Sequence, residues 1–128
     1  MIKANELRTG NYLQNEGTKK VVKVYGIIND DVYYSMNNAM NRKAFNPIPI
    51  NAERLLKFGF VFIDELNIYE IKLPNEDSFS VDLVEKEVLI TAGALHDAVQ
   101  VPCEYVHQLQ NLYFALTGQE LEIIEFVK

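Results

Sequence analysis

The chain has 128 residues, 48% of them hydrophobic and 23% charged, with 12 basic and 18 acidic side chains, one Cys, no Trp, four Pro and six Gly. At that size folding buries roughly two thirds of the surface the unfolded chain exposes, so neither a disulfide nor a structural metal is required. The lone Cys103 excludes an internal disulfide and the Cys-rich zinc frameworks, and no apolar run approaches the roughly 20 residues of a membrane span.

The charge is divided unevenly. Residues 1–60 carry nine Lys or Arg against five Asp or Glu, and residues 61–128 carry three against thirteen. The opening residues lack the apolar core of a secretory signal, so a cytoplasmic protein is expected. The reading is an α+β chain in two pieces, 1–50 and 51–128, able to close into one compact domain, with opposite electrostatic fields.

In chain order, residues 11–14, 20–28 and 32–36 are rich in Val, Ile and Tyr and are separated by turn-forming Asn, Asp, Glu and Gly, which predicts short strands. The second of these reads as one curved strand bent at Gly26. Residues 37–43 break the alternation and read as a polar loop before a last short strand at Ala44 and Phe45. Three or four curved strands in fifty residues predict a small barrel-like module.

Helix cannot pass Pro47 and Pro49, which hold residues 46–50 extended. Asn51 then supplies an N-cap, Glu53 an anion in the first turn and Gly59 a stop, predicting a helix over residues 52–58. Strands are expected at 60–63, 68–73, 79–83 and 88–91 as an antiparallel meander. Residues 95–101 fit either a further strand or a turn. From Cys103 to Thr117, Val106, Leu109, Leu112, Tyr113 and Leu116 recur at steps of three and four, between Pro102 and Gly118, predicting a long amphipathic helix of roughly 22 Å. A terminal strand over 121–127 closes the expected architecture.

Three blocks carry a resemblance: Glu6, Leu7, Arg8, Thr9, Gly10 and Asn11; Pro47, Ile48, Pro49 and Ile50 followed by residues 55–60; and residues 105–121, YVHQLQNLYFALTGQEL. In these the chain resembles a family of small uncharacterised proteins of gut-commensal bacteria and their prophages. The resemblance implies a bacterial or phage origin, a shared architecture and an accessory role, and brings no established activity. The chain departs from the usual form at Thr9, where Ile is common, and in the polar stretch 37–43. Gly10, Asn11, Gly17 and the Val-rich residues 21–27 also look like the opening of small Src-homology-3-like barrels, a likeness that does not choose a ligand.

Residues with chemical potential are few. Cys103 and His107 stand one helical turn apart on the predicted helix, where a dipole-stabilised thiolate or a two-ligand metal patch is conceivable, although a buried thiol beside an exposed imidazole is the plainer reading. His96 beside Asp97 reads as a turn or surface pair. Glu70, Glu76, Asp77, Asp82, Glu85, Glu87 and Asp97 read as a solvated acidic surface in preference to a catalytic pair. No phosphate-cradling loop, nucleophile elbow, zincin helix or dinucleotide fingerprint occurs. An enzyme, a cofactor, a metal and a small-molecule substrate are therefore not expected.

Two binding surfaces remain. His107, Gln108, Gln110, Asn111 and Phe114 form a hydrogen-bonding helix face suited to a protein partner or a second copy of the chain, with Phe114 starting a second apolar stripe. Tyr12, Lys19, Lys20, Lys23, Tyr25, Arg42 and Lys43 combine cations with aromatic faces, as single-stranded nucleic acid sites do, against an overall pI near 4.9. The expected function is a non-catalytic interaction protein that binds protein, with nucleic acid binding as the alternative.

Overall fold

A computed structural model describes residues 2–74, 77–92 and 97–122. The front piece holds β1 (Tyr12–Asn15), β2 (Val21–Lys23), β3 (Gly26–Ile28), β4 (Asp31–Tyr33), β5 (Ala39–Asn41) and β6 (Phe45–Asn46), with 3-10 turns at Ala4–Glu6 and Arg42–Ala44. They form two three-stranded antiparallel sheets, β2-β1-β6 and β3-β4-β5, and no hydrogen-bonded ring closes them into a barrel. Between them lie Ile2, Leu13, Val24, Val32 and Phe45, all buried.

Two expectations for this piece need correction. The predicted strand 20–28 is two strands in different sheets. Val24 is the junction: it exchanges main-chain hydrogen bonds with Asn11 and Gly10, both 2.8 Å, while the next amide, Tyr25, turns to Tyr33 O at 2.7 Å. Burying Val24 between the sheets forces the chain to change partners two residues before Gly26. The predicted loop 37–43 contains β5 and the Arg42–Ala44 turn, capped by Asn41 Oδ1 accepting from Lys43 N at 3.1 Å. All three β5 residues are exposed, so neither face imposes an alternation that a sequence can display.

The prolines join the pieces by pairing. Pro49 bridges Tyr105, Ile50 N donates to Glu104 O at 3.1 Å and Val106 N to Ile48 O at 2.8 Å. The linker is thereby held against the segment that enters the long helix. Helix α1 (Ala52–Lys57) follows, with Asn51 Oδ1 accepting from Arg54 N at 2.8 Å and Gly59 at φ +95° ending it.

Five strands, β7 (Val61–Ile63), β8 (Ile68–Lys72), β9 (Ser78–Asp82), β10 (Glu87–Ala92) and β11 (Asp97–Pro102), form an antiparallel meander in the order β11-β10-β9-β8-β7. Residues 97–102 thus resolve the open choice at 95–101 in favour of a strand. Phe79, Val81 and Val88 project from one face of this sheet onto Val106, Leu109 and Tyr113 of helix α2 (Val106–Thr117), and Leu55, Phe58 and Ile48 complete the larger core.

Helix α2 begins at Val106, three residues later than the periodicity suggests. Cys103 N is bonded to Lys86 O at 2.9 Å, and Gln108 Oε1 accepts from the amides of Glu104 and Tyr105 at 3.0 and 3.1 Å, so residues 103–105 stay extended. Gly118, at φ +70°, closes the helix through Phe114 O. No described helix is long and apolar enough to cross a membrane. Of the expected terminal strand, Leu121 and Glu122 are described and lie outside any strand; the remainder, like His96, is outside the described residues.

Candidate functional site

The polar side of α2 does not face outward as its composition suggests. His107 and Gln110 are buried, and Asn111 is half-buried, against residues 6–12 of the front piece. Gln110 spans the seam: its Oε1 accepts from Tyr12 N at 2.8 Å and its Nε2 donates to Gly10 O at 2.9 Å and Leu121 O at 3.4 Å. Asn111 donates to Glu6 O at 2.7 Å and accepts from Asn11 Nδ2 at 2.8 Å and Arg8 Nε at 3.2 Å. Arg8 also pairs with Glu120, and its guanidinium lies 4.2 Å from the centre of the Phe114 ring. Of the residues expected to meet a partner, His107, Gln110 and Asn111 thus join the two halves of one chain, while Gln108 bonds the entry to its own helix and Phe114 remains exposed beside Arg8. Gly10 sits at φ +97°, a backbone conformation that L side chains rarely adopt, which is why glycine stands there; a Cβ would also come 3.1–3.3 Å from the Glu120 carboxylate.

His107 is 1% exposed, with Nε2 3.2 Å from Glu6 Oε2 and its ring stacked on Tyr105; Nδ1 has no partner among the described residues. Desolvation holds this imidazole below its ordinary 6.5, with the Glu6 carboxylate only partly opposing. The folded state therefore keeps the ring neutral while the unfolded chain takes up a proton. The stability tied to the neutral ring is complete above the unfolded value and is lost progressively as pH falls from there through the lower folded value. Urea midpoints measured from pH 7 to pH 5 are expected to fall more steeply for the wild type than for His107→Phe; parallel curves would show that the imidazole is not held neutral.

Cys103 does not share a helix face with His107, because it precedes the helix. Burial pushes its thiol up to about 12, the reverse of an activated thiolate. Among the described residues no group of three His, Cys, Asp or Glu is placed to hold a metal. Of the acidic set, Asp82 Oδ1 accepts from Val84 N and Glu85 N at 3.0 and 3.1 Å, a turn-forming role, and Glu70 lies 3.5 Å from Lys72. Glu76 is outside the described residues.

The basic residues are distributed over both sheets and their turns. Lys19 pairs with Glu16 at 3.4 Å, Lys23 with Glu122 at 3.0 Å and Arg42 with Asp30 at 3.1 Å, while Lys20, Tyr25 and Lys43 are exposed. Tyr12, opposite Lys23 in the β1–β2 register, packs on Phe58 with ring centres 6.1 Å apart. Tyr12, Ile48, Phe58 and Val106 floor a cleft of about 210 Å³ rimmed by Arg54 and Lys57. That is smaller than the roughly 300–1,000 Å³ of sites that enclose a small-molecule ligand.

A wider groove runs between α2 and β11. Gln108, Asn111 and Leu112 line it from the helix, Val101, Pro102 and Cys103 from β11 and the residue after it, and Glu6 from the front piece; its volume is about 390 Å³. Val99, two residues before Val101 and on the same face, is 57% exposed, and Leu116 is exposed on the adjoining helix surface. Of the residues singled out on the helix, Gln108 and Asn111 border this groove, whereas Phe114 lies under Arg8. Val101, Pro102, Leu112 and Glu6 escaped the sequence reading. The one signal for them is the alternating Val99 and Val101, in a segment that fits strand and turn alike.

Set against family models, curated proteins and solved structures, the chain finds no match.

Proposed function

We propose that this chain is a non-catalytic interaction protein, an accessory factor of bacterial or prophage origin that works in the cytoplasm by binding another protein. Its front piece is read as a Src-homology-3-like module left open between two sheets. The observation that carries the binding reading is the groove between α2 and β11, where Val101, Pro102 and Leu112 leave apolar surface in solvent beside the polar ends of Gln108 and Asn111. An apolar strip bordered by hydrogen-bonding groups is the usual anatomy of a protein interface. The origin rests on the resemblance, whose terminal blocks, 6–11 and 105–121, are bonded to each other across the seam. Nucleic acid binding has weaker support, since Lys19, Lys23 and Arg42 are all engaged by carboxylates.

The test compares wild type and Val101→Lys as immobilised baits in extract of the native host, followed by titration of each recovered protein in purified form. A specific partner should bind Val101→Lys about tenfold or more weakly, the equivalent of at least 1.4 kcal/mol. Equal affinity of the two baits for every recovered protein would remove the groove from the function.

A further inference from the structure

Strand β11 closes one end of the five-stranded sheet, and no described strand pairs with its outer side. The bond from Cys103 N to Lys86 O identifies Pro102 and Glu87 as a pair that exchanges no hydrogen bonds between its own members. By alternation Val101 and Val99 direct their main-chain groups inward to Val88 and Ile90, while Ala98, Gln100 and Pro102 direct theirs outward. The free side therefore offers the N–H and C=O of Ala98 and of Gln100 and the C=O of Pro102. Proline at the end of this row is consistent with a sheet edge, because no ladder bond needs its missing N–H. Upstream of it β11 lacks the usual guards: residues 98–101 hold no charge and no proline. The opposite edge strand, β7, spans only Val61–Ile63.

The surroundings select the partner. From Leu73 to Glu122 the chain carries nine carboxylates and one cationic side chain, Lys86; three of the nine are ion-paired, Glu104 with Lys86, Glu120 with Arg8 and Glu122 with Lys23, and an acidic excess remains. A second copy paired edge to edge would bring two such segments together, and like charges across an interface disfavour that. A strand bearing lysine or arginine meets the opposite field.

We propose that β11 is a strand-addition site for an extended, cationic segment of a partner protein, which pairs with Ala98 and Gln100 and sets alternate apolar side chains against Val99, Val101 and Leu112. This rests on the protein-binding reading of the adjoining groove and supplies its chemistry: main-chain bonds give register, the groove accepts every second side chain, and the acidic field favours basic residues between them.

The probe is a capped heptapeptide of alternating lysine and valine, with a glutamate and valine peptide as its counterpart, at low ionic strength. Amide exchange followed by NMR should slow about tenfold or more at Ala98 and Gln100 with the lysine peptide and stay unchanged with the glutamate peptide. Gln100→Pro removes an outward N–H without touching the ladder to β10, and it should abolish this protection. N-methylation of the peptide's edge-facing amides should do the same on the unaltered protein. Unchanged exchange at both residues, equal binding of the two peptides, or binding that survives both blocks would overturn the proposal. Protection that appears with protein concentration alone would assign the edge to another copy, whose Lys20, Val21, Val22 and Lys23 are the cationic strand available. Partner capture kept by Gln100→Pro and lost by Val101→Lys would remove strand addition while leaving the groove reading intact.

Discussion

Phe79→Ala is expected to lower the unfolding free energy by about 3–5 kcal/mol, the range for emptying an enclosed phenylalanine site. Phe79 lies on β9, the central strand of the meander, and is fully buried. Its ring meets Phe60 at 6.2 Å and Tyr113 edge-on at 5.7 Å, so it ties the sheet to the start of β7 and to α2 at once. Neighbours fixed on different elements, Phe60 before β7 and Tyr113 on α2, cannot both move inward to fill the vacated space. A domain of this size has about 5–15 kcal/mol in total, so the variant gives up a large share of it. Urea unfolding should show a lower midpoint with an unchanged slope. Phe79→Leu, which keeps more of the volume, should cost clearly less. A loss below about 1 kcal/mol for the alanine variant would mean that the ring is not enclosed.

Gln110→Leu is the second large effect, and its origin is polar. The substitution keeps the volume but removes the acceptor for Tyr12 N and the donor to Gly10 O, both inside the seam. A buried main-chain group left without a partner costs about 1–3 kcal/mol, and two are exposed to that penalty, so a loss of about 2–5 kcal/mol is expected. Gln110→Glu should not rescue it, since a carboxylate accepts from Tyr12 N but cannot donate to Gly10 O. Amide exchange separates this effect from that of Phe79→Ala: the Tyr12 amide should lose protection beyond the change in global stability. Stability within about 0.5 kcal/mol of wild type would show that water can replace the glutamine and that the seam is not dry.

The same residues show why the proposed binding surface is hard to read from sequence. Polar side chains at helical spacing are ordinarily a solvated face, and nothing within the helix marks His107 and Gln110 as exceptions. Their partners, Glu6, Gly10 and Tyr12, lie about a hundred positions earlier. Gln108 has a local task besides bordering the groove: a glutamine three residues after the cap residue serves the cap, and the cap is Tyr105 because Cys103 belongs to an extended run. The groove was legible only as the alternating Val99 and Val101, because a groove needs a second wall and α2 supplies it from elsewhere in the chain. Val24 illustrates the same limit in the front piece, where an unbroken β pattern conceals a change of sheet.

Punctuation and periodicity act over a few residues. Pro47 and Pro49 therefore dictate an extended linker, Asn51 and Gly59 bound the short helix, the meander follows from its turns, and Gly118 ends the long helix, whatever surrounds them. Which polar groups are hidden, which strand is left at an edge and which faces form a groove depend on contacts between distant residues. Those are settled only when the chain has folded, because a buried hydrogen bond or an uncovered edge is a property of two segments together and of neither one separately.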